Sequence, residues 1–132
     1  MGGLPYDGLE AVQLVRYHSG QKVNLHFDWA QKPKIDRQGR EYNRLASFFV
    51  YLKDECVGGG TWFPNVTVAH GVPNVEPGKD ATGIIVRPSA GDGLFWMNLK
   101  EDGTGDRRTK HAGLPVAEGV KVGMNIWVKK LV

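Results

Sequence analysis

The stretch Arg44-Leu45-Ala46-Ser47-Phe48-Phe49-Val50-Tyr51-Leu52 (RLASFFVYL) is rich in aromatic and branched side chains and carries one charge, at its start. Such residues fit a pleated, half-buried surface, so the run reads as a strand. Upstream, Ala11 to Tyr17 (AVQLVRY) and Lys22 to Asp28 (KVNLHFD) read as two more, separated by a Ser19-Gly20 turn. Downstream, Thr61-Trp62-Phe63 follows the flexible Gly58-Gly59-Gly60, whose glycines permit a tight turn. Gly83 to Arg87 (GIIVR), Gly93 to Asn98 (GLFWMN) and Lys121 to Leu131 (KVGMNIWVKKL) complete the set. No segment holds a strong helical period, although Leu9 to Val15 is ambiguous. Short strands between turn residues predict a mainly β, antiparallel sandwich or barrel with few or no helices. Two long connections, Gln31 to Asn43 and Pro64 to Ala81, are candidates for functional loops.

The bulk properties set limits. A chain of 132 residues fits one domain, 1–132, and its 41% hydrophobic content suffices for a core. Net charge is only +3, and the basic residues are scattered rather than gathered into the stripe that nucleic-acid binding uses. The lone Cys56 excludes an internal disulfide and argues against a thiolate zinc site. No apolar run approaches the roughly 18 residues needed to span a bilayer. The start, Met1-Gly2-Gly3-Leu4-Pro5, lacks the apolar core of a signal peptide, so the compartment stays open between cytoplasm and, for an excised domain, the secretory lumen. Oligomeric state is not legible.

The chemistry centres on Asn24-Leu25-His26-Phe27-Asp28-Trp29-Ala30. In a strand, His26 and Asp28 face the same side and reach one object together. With a distant histidine they make a 2-His-1-carboxylate facial triad, the ligand set of non-haem Fe(II). Taken alone, the pair also fits a histidine satisfied by a nearby acid. His111 is a third candidate ligand, and Lys121 follows ten residues later at the start of the last strand. A cation beside a metal is costly unless an anion joins it, and a dicarboxylate cosubstrate would do so. His18 and His70 have no partners at ligand spacing and read as structural or exposed. Trp96 reads as core.

The segments VRYHSGQKVNLHFD, NRLASFFVYLKDECVGGGTWFP, GDGLFWMNLKEDGTGDRRTKHAGLPVAEGVK and NIWV occur in the order seen in one family. From about Val12 onward the chain resembles the catalytic domain of the prolyl 4-hydroxylases, Fe(II)/2-oxoglutarate-dependent dioxygenases. The resemblance implies a double-stranded β-helix, or jelly roll, and an enzyme that hydroxylates a C–H bond with O2, giving succinate and CO2. It implies His26, Asp28 and His111 as iron ligands and Lys121 as partner of the far carboxylate of 2-oxoglutarate. Tyr51 and Thr61 match positions that hold the cosubstrate through their hydroxyls. Trp127 and Arg44 match substrate-pocket positions, where packing and loop anchoring are rival roles. Ascorbate is the implied auxiliary reductant, and a prolyl residue of a peptide or protein the implied substrate. Plant and algal members often carry an aromatic three residues before the first ligand, where this chain has Val23; that leaves open a small molecule or another side chain as substrate. A non-catalytic binding module is the other alternative. The family's usual N-terminal supporting region is largely missing, which predicts exposed apolar surface where it would pack.

Overall fold

In the computed structural model, residues 8–67 and 71–132 are described; His70 lies outside them. Eleven strands form two antiparallel sheets. They are β1 Gln13–His18, β2 Val23–His26, β3 Lys34–Ile35, β4 Glu41–Lys53, β5 Cys56–Gly58, β6 Thr61–Phe63, β7 Val75–Pro77, β8 Ile84–Val86, β9 Gly93–Met97, β10 His111–Gly113 and β11 Val116–Leu131. The larger sheet runs β1-β11-β4-β3, with β9 also on β4 and β5 on β11. The smaller runs β2-β10-β6-β8-β7. Among the described residues, helix is confined to two single 3-10 turns, Lys79–Ala81 and Arg107–Thr109. This is the expected jelly-roll architecture.

The aromatic run at 44–52 is the centre of the larger sheet, paired with β11 on one edge and β9 on the other. Strand periodicity sends Ser47, Phe49 and Tyr51 inward and Phe48 and Leu52 out to solvent. Phe49, Tyr51 and Val86 form the buried core, flanked by Val15, Val75, Ile84, Leu94 and Trp96. Gly123, opposite Tyr51 on β11, makes room for this cluster: a Cβ there would collide with the Phe49 ring.

The strand expectations are met at seven places, with shifted ends. Four short strands, β3, β5, β7 and β10, escape a reading by pattern. Two or three residues are too few to show a period, and their pairing comes from neighbours distant in sequence. Part of the Gln31 to Asn43 connection is a β3–β4 hairpin, closed by Asp36, whose carboxylate accepts from the Gln38 and Arg40 amides. Leu9 to Val15 is not helical: Leu9 bridges to Val128 and Gln13 begins β1.

Candidate metal centre

His26 and His111 are register partners across β2 and β10, so both rings stand on the inner face of the smaller sheet. Their centroids are 4.2 Å apart. Asp28 is not in the strand. β2 ends at His26, and Asp28 sits in the bend beyond it. That bend is pinned by Trp29, whose ring lies where a Cβ on Gly105 would stand and whose indole N–H donates to Asp106 O at 3.2 Å. Phe27 packs against Trp29 at 4.5 Å. The bend thereby swings Asp28 toward β10. Its Oδ1 lies 3.3 Å from His26 Nε2 and 3.4 Å from His111 Nε2.

The donor set fits a metal ion. His26 Nδ1 meets Asn24 O and His111 Nδ1 meets Thr109 O, each at 2.7 Å. A carbonyl only accepts, so each Nδ1 carries the hydrogen and each Nε2 presents a lone pair. Two lone pairs and a carboxylate oxygen then converge on one point, within 4.8 Å of one another, which calls for a cation between them. With metal–ligand bonds of about 2.1 Å, ligands at right angles stand about 3 Å apart, close to these separations. Where a proton takes the place of an ion on Nε2, the imidazole donates to Asp28 instead: burial alone would push the Asp28 carboxyl up, but such hydrogen bonds from His111 and His26 outweigh it and hold the group well below the usual carboxylate range. That hydrogen bond, made only by the protonated ring, raises His26.

One cavity of about 450 Å³ contains the three ligands together with Thr61, Lys121 and Trp127. Lys121 is 2% exposed, on the inner face of β11. Its ammonium donates to Gly59 O at 2.7 Å and lies 4.4 Å from the Tyr17 ring centroid. Among the described residues no carboxylate pairs with it. Burial pushes it down to about 8. A cation enclosed without an anion is the complement of a bound acid. Thr61 lines the cavity, and the Tyr51 hydroxyl stands behind it at 2.6 Å, driven up to about 12 by burial. Arg44 stacks on Trp127 at 3.7 Å and pairs with Glu10, so it is anchored as well as placed at the cavity wall. A second hollow of about 570 Å³, lined by Phe63, Ile84 and Leu94, holds none of the ligands.

The structure thus gathers His26, Asp28, His111, Lys121, Thr61, Trp127 and Arg44 around one space, with Tyr51 one layer back. His18 is exposed. Trp96 is both core and site: it packs on Phe63 and sets its edge against the His111 ring at 4.8 Å. Sequence reasoning missed Tyr17, Ser47 and Asn98. Tyr17 shares a strand face with Val15 on β1 and could be placed inward once the strand was drawn, but nothing in the sequence marks the other two.

Residues 12–129 match the model of the 2OG-Fe(II) oxygenase superfamily. The chain is 34% identical over 125 residues to prolyl 4-hydroxylase subunit alpha-2 of Gallus gallus, covering 95% of this chain and 20% of that protein. It is 35% identical over 131 residues to a probable prolyl 4-hydroxylase 4 of Arabidopsis thaliana, covering 95% and 43%. It therefore spans less than half the length of these curated relatives. Among solved structures, the viral collagen prolyl hydroxylase of Paramecium Bursaria Chlorella virus-1, in its 2OG complex, superposes with a TM-score of 0.70 at 28% identity, covering 94% of this chain and 60% of that one. A Pseudomonas putida prolyl-4-hydroxylase shares the fold, with a TM-score of 0.56 at 20% identity. By family model, ligand set and fold together, the chain belongs to the 2OG-Fe(II) oxygenase superfamily.

Proposed function

We propose that this domain is an Fe(II)- and 2-oxoglutarate-dependent dioxygenase that hydroxylates a prolyl residue in a peptide or protein. The observation that carries the reading is the enclosure, in one cavity, of His26, Asp28 and His111 with the unpaired ammonium of Lys121. Iron with 2-oxoglutarate and O2 would supply the oxidant for an unactivated C–H bond, leaving succinate and CO2. The three ligands would hold the ion by one face and leave its other positions to small molecules. Lys121 would bind the far carboxylate of 2-oxoglutarate, and its depth would select a diacid of that length over shorter acids. Thr61, held by Tyr51, would donate a second hydrogen bond to the same carboxylate. Trp127 and Arg44 form a rigid stacked wall against which a substrate would be oriented. Ascorbate would serve as auxiliary reductant, keeping the iron in its Fe(II) state. The relatives' names favour a peptidyl-proline substrate.

The test is succinate formation with prolyl peptides and, in parallel, with free amino acids and other small molecules. Peptide-stimulated turnover with one oxygen atom gained on proline supports the proposal. Turnover coupled only to a small molecule overturns the prolyl assignment and leaves the dioxygenase, whereas failure to consume 2-oxoglutarate with any of them overturns the enzyme reading.

A further inference from the structure

Asp28 uses only one oxygen toward the histidines. Its other oxygen, Oδ2, is taken from the opposite sheet. Ser47 Oγ donates to it at 2.6 Å, and Trp127 Nε1 donates at 3.1 Å. Ser47 and Trp127 are directly opposed residues of β4 and β11, so the two donors form one rigid unit. Behind them, Asn98 Nδ2 donates to Ser47 Oγ at 2.8 Å. Ser47 and Asn98 are both fully buried.

The proton directions in this chain are fixed by chemistry. A carboxylate only accepts, so the single hydroxyl hydrogen of Ser47 points at Asp28. The Ser47 oxygen is then left as acceptor, and Asn98 must approach it with its amide nitrogen. Asn98 is itself held by its backbone: its N–H donates to Leu45 O, and its carbonyl accepts from Asp106 N, each at 2.8 Å. Asp106 in turn caps the 3-10 turn that delivers His111. The relay therefore ties the carboxylate ligand to the segment carrying the second histidine.

We propose that Ser47, Asn98 and the Trp127 indole N–H are positioning residues that hold Asp28 as a one-oxygen metal ligand, with Asn98 acting through Ser47. The inference rests on the metal-site reading above. With Oδ2 occupied by two donors, the carboxylate cannot swing to chelate the ion through both oxygens, and the face opposite the protein ligands stays free. Such outer partners commonly govern metal affinity by 10–100-fold.

Anaerobic titration of Co(II) into chelator-treated protein, followed by its visible absorption, tests this without turnover. Apo-protein melting is measured beside it. Ser47→Ala is expected to weaken Co(II) binding by about ten- to a hundredfold and to change the spectrum of the saturated form. Trp127→Phe keeps the ring, removes only the N–H, and is expected to weaken binding several-fold. Asn98→Ala is expected to weaken it by less than Ser47→Ala. The double variant Ser47→Ala/Asn98→Ala should bind no more weakly than Ser47→Ala by itself, because the second deletion acts through a hydroxyl already gone. Ser47→Thr, which keeps the hydroxyl, should restore the parent spectrum. Parent-like affinity and spectrum in both Ser47→Ala and Trp127→Phe would overturn the proposal while leaving the metal site intact. Fully multiplicative losses in the double variant would overturn the role of Asn98. Absence of Co(II) binding by the parent would overturn the metal site itself, and the positioning role with it.

Discussion

The two faces of the larger sheet differ, the outer one showing apolar side chains to solvent and the inner one burying polar groups beside its core. Its outer face shows solvent Leu14, Phe48, Leu52, Phe95 and Met97, each at least 39% exposed. Phe48 and Phe95 even pack on each other there, at 4.7 Å. Its inner face buries Ser47, Asn98 at the end of β9, and Lys121, none above 2% exposed. Buried polar groups are tolerated only when partnered, and nearly all of these are: Ser47 by Asp28 and Asn98, Lys121 in part by Gly59. The interior of this sandwich is organised around a site more than around an apolar core. Its apolar packing centres on the small buried cluster of Phe49, Tyr51 and Val86. Substitutions of the inner face's buried polar groups should therefore alter ligand binding more than stability, and substitutions on the outer face should leave the ligands unaffected.

The largest effect is expected at Lys121. Lys121→Ala removes the only cation proposed for the far carboxylate, and truncating one member of a buried charge pair typically costs about 2–5 kcal/mol. Calorimetric titration of 2-oxoglutarate into the metal-loaded protein should show at least a thirtyfold loss, roughly the lower end of that range. Metal affinity should not change. Apo-protein stability should hold or rise, because an enclosed charge is gone. A large fall in melting temperature would break the contrast between the faces.

A pH series sharpens the same point. Burial places Lys121 at about 8, against an unfolded value near 10.4. Between these values the unfolded chain holds a proton that the folded one lacks, so this group makes stability rise with pH across the window. Below pH 8 the buried ammonium is charged and opposes folding. Binding of 2-oxoglutarate needs that charge. Affinity should be flat below about pH 8 and fall about tenfold per unit above it. Near pH 8–9 binding should take up a proton, visible as a buffer-dependent binding enthalpy. Lys121→Ala should abolish both signatures.

Tyr51 gives a smaller effect. Tyr51→Phe removes the hydroxyl that meets Thr61 at 2.6 Å. Loss of one hydrogen bond predicts a stability decrease of about 1 kcal/mol and a several-fold loss of 2-oxoglutarate affinity, both readable from melts with and without ligand. An unchanged affinity would make Tyr51 a core residue only.

The smallest effect on the site belongs to the outer face. Phe95→Ser should leave metal and 2-oxoglutarate affinities unchanged. It should cost about 0.5–1.5 kcal/mol through the lost Phe48 contact and lower self-association in sedimentation, since contiguous exposed apolar surface promotes association.

The history of each residue explains what the sequence could reveal. The 44–52 strand was legible because aromatic and branched residues declare themselves locally. His26, Asp28, His111 and Lys121 were legible as residue types, and the resemblance to a family fixed their roles. The strand carrying His111 was not, because His-Ala-Gly has no strand preference and pairs only where β2 and β6 already stand. Asp28 was expected on the strand and lies past its end, since the bend is set by the Trp29–Gly105 contact, 76 residues apart in sequence. Ser47 and Asn98 were invisible for the same reason. A serine in an apolar run carries no mark, and its partners sit 19 and 51 residues away.

If the inner face holds Fe(II) and 2-oxoglutarate together, the pair leaves an optical signature. The most direct test is an anaerobic titration of Fe(II) and 2-oxoglutarate into the folded protein, watching for the visible metal-to-ligand charge-transfer band of the chelate. The band should form in the parent and in Phe95→Ser, be lost in His111→Ala, and appear only at much higher 2-oxoglutarate in Lys121→Ala. Folded parent protein that develops no band would contradict such a site.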